Sequence, residues 1–206
     1  MAPLMPAVLA LGASLGVLAR ASDFPAAAVI AMSATTFAGS SQVAAISVLG
    51  AGGGVAAAVV AALLLNVRYA PIGITVAQSF RGSVWRRLAQ AQLVVDESWA
   101  LAGGGTVRFD RRVMLGIGGG LWVAWVGGTA IGALLGGVVN DPSAFGLDGA
   151  FAALFFALLF AQLSNRRAVT AAVVGAAIAG VLTPLTPPGV PIIAATAAVL
   201  VGWKRV

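Results

Sequence analysis

Residues 25–49 read PAAAVIAMSATTFAGSSQVAAISVL. The stretch is apolar at both ends and long enough to cross a bilayer, and a short polar run, Phe37-Ala38-Gly39-Ser40-Ser41-Gln42, lies near its middle. In hydrocarbon an unpaired polar group costs several kcal/mol, and a glycine, two hydroxyls and an amide fill a greasy helix badly. The run therefore predicts a place where a helix bends or breaks to hold something. The alternative is that Gly39, Ser40 and Ser41 are small residues that let helices pack closely, with the hydroxyls bonded back to their own helix. Gln42 is larger than packing requires, which favours a break that faces a substrate.

The same pattern of apolar segments and short polar joints continues along all 206 residues, 60% of them hydrophobic and only 9% charged. A mean hydropathy of +1.02 is far from that of soluble domains. Residues 1–206 thus read as one integral membrane domain of the all-α class, with no room for a soluble domain. Alternation at period two and aromatic girdles are absent, which argues against a transmembrane β-barrel. The net charge of +6 resides in basic residues at the ends of apolar spans, so it reports topology rather than nucleic-acid binding. With no Cys and no His, thiol chemistry, disulfides and His-ligated metal or haem are excluded, and no cofactor is expected. Any proton coupling must use carboxylates, arginine-shifted water, or nothing in this chain. The first segment, Pro3 to Leu18, lacks a basic leading region and is expected to be a mature helix rather than a signal peptide.

Charge sets the topology when read backwards from the interfacial anchor Trp203-Lys204-Arg205, taken as cytoplasmic. The last span is then about Pro191 to Trp203. The turn from Pro184 to Gly189 falls outside, Arg166 and Arg167 inside, and Asn140-Asp141-Pro142 outside. The long segment Val113 to Val138 starts inside, beside Arg108, Arg111 and Arg112. Arg81, Arg86 and Arg87 also belong inside, yet only Leu88 to Leu101 separates the two basic loops, and it carries Gln90, Gln92, Asp96 and Glu97. So short and polar a stretch is expected to be buried or re-entrant. Val55 to Phe80 and Pro25 to Leu49 are then each one interrupted span, giving about seven in a multi-pass protein of the cytoplasmic (inner) membrane, N-terminus out and C-terminus in. The spacings Gly12/Gly16, Gly116/Gly120, Gly128/Gly132 and Gly132/Gly136 predict close helix packing. The run from Gly116 to Gly120 has no strand before it and is not a dinucleotide loop.

Three further clusters carry chemistry. In Asn66-Val67-Arg68-Tyr69-Ala70-Pro71 the proline clashes with the carbonyl of Val67, so the helix should open beside Asn66 and Arg68. Arg68 offers a permanently charged planar fork for a carboxylate; the alternative is an ordinary interfacial pair with Tyr69. In Asp96-Glu97-Ser98-Trp99, adjacent carboxylates at membrane depth require a partner such as Arg68 or a proton, which makes Asp96 or Glu97 the best proton carrier in the chain. A surface pair capping a helix is the alternative. Asp148, in Gly146-Leu147-Asp148, reads first as a helix cap and second as a transport residue.

These four stretches, in this order and approximate spacing, resemble the AzlC-type branched-chain amino acid permeases, and the resemblance runs from about residue 5 to the C-terminus. The resemblance implies the large subunit of a two-component exporter of valine, leucine, isoleucine and sometimes methionine. It would work with a small hydrophobic AzlD-type subunit in the inner membrane and exchange its substrate for protons. The chain departs from the family pattern at Tyr69, where a histidine is usual, so a proton role for that histidine does not carry over. Ser98 replaces the usual threonine and keeps the hydroxyl, and the start is shorter.

The expected mechanism places an apolar amino acid between the two breaks. Its carboxylate would meet half-helix N–H groups with Ser40, Ser41 and Gln42 adding hydrogen bonds; Asn66 and Arg68 flank it. Asp96 or Glu97 would face the ammonium or carry the proton, and Trp99 or Trp125 would select an apolar side chain. The rival class is a non-transporting scaffold subunit that stabilises a partner membrane protein. An intramembrane hydrolase lacks a base for Ser40 or Ser41, and a channel would show non-saturable flux.

Overall fold

The computed structural model describes residues 4–103, 110–136 and 165–202, together with 156, 159, 160 and 163. Among them all regular structure is helical. The order is α1 (Leu4–Ala21), α2 (Ala26–Thr36), α3 (Gly39–Gly50), α4 (Val55–Asn66), α5 (Tyr69–Ala77), α6 (Val84–Gln92), α7 (Asp96–Leu101), α8 (Arg111–Leu135), α9 (Arg166–Leu182) and α10 (Val190–Ala195). A 3-10 turn, Thr196–Ala198, carries α10 into α11 (Val199–Gly202). Two helices, α1 and α8, are individually long and apolar enough to cross a membrane. A third span is formed if α4 and α5, bent by 51° at their junction, are counted as one.

Helices α1 and α8 form the central pair because their facing positions carry almost no side chain. They run parallel, with Gly120 beside Met5, Gly128 beside Leu9 and Gly136 beside Arg20, so both start on the same side of the membrane, against the expectation that α1 starts outside and α8 inside. A methyl group on Gly12 or Gly16 would run into the backbone of Trp125, Thr129 or Ala133, and one on Gly128 or Gly132 into the carbonyls of Leu9 or Ala13. Backbone approach of this kind is the main attraction available where lipid is as apolar as the side chains. The expected pair Gly116/Gly120 does not take part: the space beside Gly116 is open, and Gly120 meets only the side chain of Met5. Gly118 fills that role, against the Leu93 carbonyl, because it is the face of α8 turned toward the segment before α7. Around this pair, Leu15, Ala19, Val29, Phe37, Val43, Ile46, Leu121 and Trp125 form the main apolar core.

Both sequence-predicted interruptions are present. The chain breaks at Phe37-Ala38, so that the polar residues Gly39 to Gln42 become the first turn of α3, and α3 then doubles back along α2: Gln42 meets Ser33, and Gly50 at the end of α3 lies against Ser22 just before α2. Residues 25–49 are therefore a re-entrant hairpin rather than the single interrupted span expected from the sequence, because the left-handed turn at Phe37 reverses the chain. It breaks again at Val67-Arg68, three residues before Pro71, which sits in the first turn of α5 where its missing N–H is harmless. The segment Leu88 to Leu101 is not a single helix. It is divided between the end of α6, a turn at Leu93–Val95 and the six-residue α7. Asp110 starts α8 by accepting from the N–H groups of Arg112 and Val113 at 2.7 and 3.3 Å. Helix α9 packs on α10, whose residue Ile192 reaches the cluster of Val48, Ala58 and Ala61 on α3 and α4.

Candidate substrate site at the helix breaks

Phe37 adopts a left-handed conformation, φ 41° and ψ 49°, which turns the chain sharply between α2 and α3. For a bulky L residue this costs about 1–2 kcal/mol and persists only where the surroundings hold it. Here the ring is buried in the main core. The turn also leaves carbonyls at the end of α2 without backbone donors, and side chains supply them. Gln92 Nε2 donates to the carbonyls of Ala34 and Thr35 at 3.2 and 2.7 Å, and Trp122 Nε1 donates to Ala34 at 3.0 Å. These two residues secure the break, and sequence reading noted Gln92 only as an unexplained polar residue in a short segment.

On the other side of the turn the first-turn N–H groups of α3, those of Gly39, Ser40 and Ser41, have no acceptor within the helix. The indole of Trp125 lies across Gly39, so close that a Cβ there would stand 2.8 Å from Trp125 Cη2. Trp125 is itself fixed by a buried network. Its Nε1 donates to Gln42 Oε1 at 2.9 Å, Gln42 Nε2 donates to Ser33 Oγ at 3.1 Å, Ser33 Oγ donates to Thr129 Oγ1 at 3.0 Å, and Thr129 returns to the Trp125 carbonyl at 2.8 Å. Gln42 thus uses its amide inside the protein, tying α2, α3 and α8 together. Ser41 likewise bonds back to the Ala38 carbonyl at 2.9 Å.

The second break delivers Arg68 to the same place. Its Nη1 lies 3.2 Å from Asp96 Oδ2, and its Nη2 donates to Ser40 Oγ at 3.1 Å. The guanidinium also stands 5.2 Å from the centroid of the Tyr69 ring, within cation–π range. Asp96 and Glu97 form the first turn of α7, and Ser98 holds that turn: its hydroxyl accepts from Val95 N–H at 2.9 Å and faces the Val95 and Leu93 carbonyls at 3.0 and 3.1 Å. Gly39, Ser40, Arg68, Tyr69, Asp96 and Glu97 line a cavity of about 110 Å³, closed on its apolar side by Val8, Leu11, Phe37, Val95, Leu121 and Trp125. One end is therefore charged and hydrogen-bonding, the other aliphatic and aromatic.

Two larger cavities adjoin it. Phe37 and Tyr69 also line a cavity of about 290 Å³ that contains Thr36, Asn66 and Gln92. Thr36 and Asn66 in turn line an apolar cavity of about 260 Å³, where Ser41 and Gln42 are found. Asn66 Oδ1 is buried and accepts no hydrogen bond.

The sequence-predicted residues are thus distributed unevenly. Gly39, Ser40, Arg68, Asp96 and Glu97 meet in the smallest cavity. Ser41, Gln42 and Asn66 lie one layer away. Trp99 is elsewhere: its Nε1 donates to Thr75 Oγ1 at 3.2 Å, and its ring packs on the cluster of Val76, Ala102 and Met114, so Trp125 is the indole in the wall. The reason is the turn that starts α7, which points Asp96 inward and Trp99 toward α5. Asp148 lies outside the described residues.

Glycine-packed apolar helices surrounding a polar site at two helix breaks define a helical membrane protein. The AzlC family model, described as AzlC protein, matches residues 3–139. An Archaeoglobus fulgidus protein described as an uncharacterized membrane protein is 32% identical over 205 residues, covering 98% of this chain and 90% of that one. The inner membrane protein YgaZ of Escherichia coli K12 is 32% identical over 162 residues, covering 70% of this chain and 63% of YgaZ. No solved structure matches the chain. The chain belongs to the AzlC family.

Proposed function

We propose that this protein is a secondary transporter that exports branched-chain and similar apolar amino acids across the cytoplasmic membrane in exchange for protons. The observation that carries the reading is the convergence, in one small cavity, of the α3 N-terminus, the Arg68–Asp96 pair and an aliphatic wall. A zwitterion carries the same two charges as that pair. Its carboxylate suits Arg68 and the N–H groups of Gly39 and Ser40, and its ammonium suits Asp96 or Glu97. Its side chain would lie against Val8, Leu11, Leu121 and Trp125. Discrimination between valine, leucine and isoleucine would be weak, since one methylene is worth only about 1–3 kcal/mol.

Size adds a mechanistic requirement. A cavity of ~150 Å³ holds benzene, and leucine is larger than benzene, whereas this cavity is about 110 Å³. A bound leucine would therefore extend from this cavity into the adjoining one that shares Phe37 and Tyr69, or widen the site. A zwitterion that takes Arg68 from Asp96 would free the contact between the α4–α5 break and α7. The carboxylate freed in this exchange, Asp96 or its neighbour Glu97, is the proton carrier of the proposal. Among the described residues the spans of this reading are α1, α4–α5 and α8, with α2–α3 a re-entrant hairpin that carries the site, and a small AzlD-type partner subunit completes it.

The test is efflux of preloaded radiolabelled leucine from vesicles that contain this chain, with and without a small AzlD-type partner, under an imposed pH gradient. Saturable, gradient-dependent efflux is expected. Absence of efflux for leucine, valine, isoleucine and methionine in a verified assembly would overturn the exporter and favour the scaffold.

A further inference from the structure

Helix α6 is amphipathic in an unusual sense. Its polar side chains Gln90 and Gln92 face the protein, while Val84, Trp85 and Leu88 face away from it, with Trp85 81% exposed. Arg81, just before the helix, and Arg86 and Arg87 within it are exposed as well. Among the described residues no carboxylate forms a salt bridge with any of them. Helix α6 thus presents both apolar and cationic groups outward, with no counter-charge bonded to them among the described residues.

The height of this surface relative to the bilayer follows from its tethers. Gln90 Nε2 donates to the carbonyls of Arg81 and Arg86 at 2.9 and 3.0 Å, and Gln90 Oε1 accepts from Arg111 Nη1 at 3.0 Å. Arg111 is the first residue of α8, whose 25 residues match the thickness of a bilayer. The start of α8 is therefore at a membrane boundary, and α6 is bonded to it there. Arginines at such a boundary mark the cytoplasmic leaflet, whose surface is anionic.

We propose that α6 is an interfacial helix whose outer face binds anionic phospholipid headgroups. Trp85, Val84 and Leu88 enter the headgroup–acyl boundary, and Arg81, Arg86 and Arg87 pair with lipid phosphates. Charge complementarity selects this occupant: an uncharged lipid satisfies the apolar face and leaves the arginines unpaired. Because Gln92, at the end of the same helix, caps the carbonyls of Ala34 and Thr35 at the α2–α3 break, lipid binding would bear on the site through one helix.

The experiment uses the full chain and its Trp85→Phe variant, the difference in their fluorescence giving the Trp85 signal, each reconstituted in vesicles of mixed phosphatidylcholine and phosphatidylglycerol. In one set the phosphatidylglycerol is brominated on its acyl chains, in the other an equal mole fraction of the phosphatidylcholine. Stronger quenching of Trp85 by the brominated anionic lipid is expected, with the excess falling as salt rises and disappearing in Arg81→Gln/Arg86→Gln/Arg87→Gln. Should the triple variant not assemble, the salt series on the parent protein decides alone. Equal quenching by both lipids would overturn the anionic preference. No quenching by either would overturn the interfacial placement and show that protein covers this face.

Discussion

Arg68 at the α4–α5 break and Asp96 at the start of α7 face each other at 3.2 Å, and the same guanidinium reaches Ser40 on the first turn of α3. One side chain thereby joins three elements that the chain brings together from separate segments. Both partners are more than a third exposed, 39% and 38%, so the pair contributes little to stability, about 0–1 kcal/mol. Its value lies in geometry and charge. Arg68→Lys keeps the charge and loses the fork that spans Asp96 and Ser40. Leucine efflux should fall about ten- to a hundredfold while the thermal midpoint hardly moves. Asp96→Asn should behave alike, and a matching drop in midpoint would show a structural pair instead.

Gln42→Ala removes the acceptor of Trp125 Nε1 and the donor to Ser33 in a fully buried network. Stranded buried groups cost about 1–3 kcal/mol each, so a loss of roughly 2–4 kcal/mol is expected. Unlike Asp96→Asn, this variant should lower both stability and efflux, with altered Trp125 fluorescence. Membrane insertion itself should persist, since the apolar spans are unchanged. Normal stability combined with lost efflux would instead place Gln42 in contact with substrate.

Gly39→Ala puts a methyl group against the Trp125 ring. Overpacking of this kind costs typically about 1–3 kcal/mol. The same substitution in a Trp125→Leu background should cost little, and the difference between the two backgrounds in a double-mutant cycle measures the contact. Additive effects would mean that the ring does not rest on α3.

The glycines of α8 provide an internal contrast. Gly132→Leu forces α1 away from α8, because the obstacle is the backbone at Ala13, and assembled protein should be lost. Gly116→Ala meets open space and should be neutral or stabilise by up to about 1 kcal/mol through helix propensity. Thermal unfolding in detergent of both variants would check this, and equal damage at the two positions would refute the packing assigned to α1 and α8.

Much of this architecture was legible before any coordinates. Bilayer-length apolar runs need only composition, because a backbone in hydrocarbon must satisfy its own hydrogen bonds and helices do so locally. The breaks at Phe37-Ala38 and Val67-Arg68 were legible for a related reason: glycine, serine and proline change local backbone cost whatever surrounds them. The pairing of Arg68 with Asp96 was legible as one of two ways, the other being a proton, to settle a carboxylate of the Asp96-Glu97 pair.

What only tertiary structure decided is which polar groups are free. Gln42 looks in sequence like a ligand, yet its partners, Trp125 and Ser33, are supplied by packing, whereas Ser41 bonds back locally to the Ala38 carbonyl, the alternative the sequence already offered. Trp99 and Trp125 are equivalent in sequence, and the turn capped by Ser98 turns one away from the site while the network on Thr129 holds the other in it. Local propensity is carried by neighbours in the chain, so it can be read there. Satisfaction of a hydrogen bond depends on residues brought close by the fold, and the choice among Gly12, Gly16, Gly118, Gly128 and Gly132 as contacts depends on which face of a helix another backbone reaches.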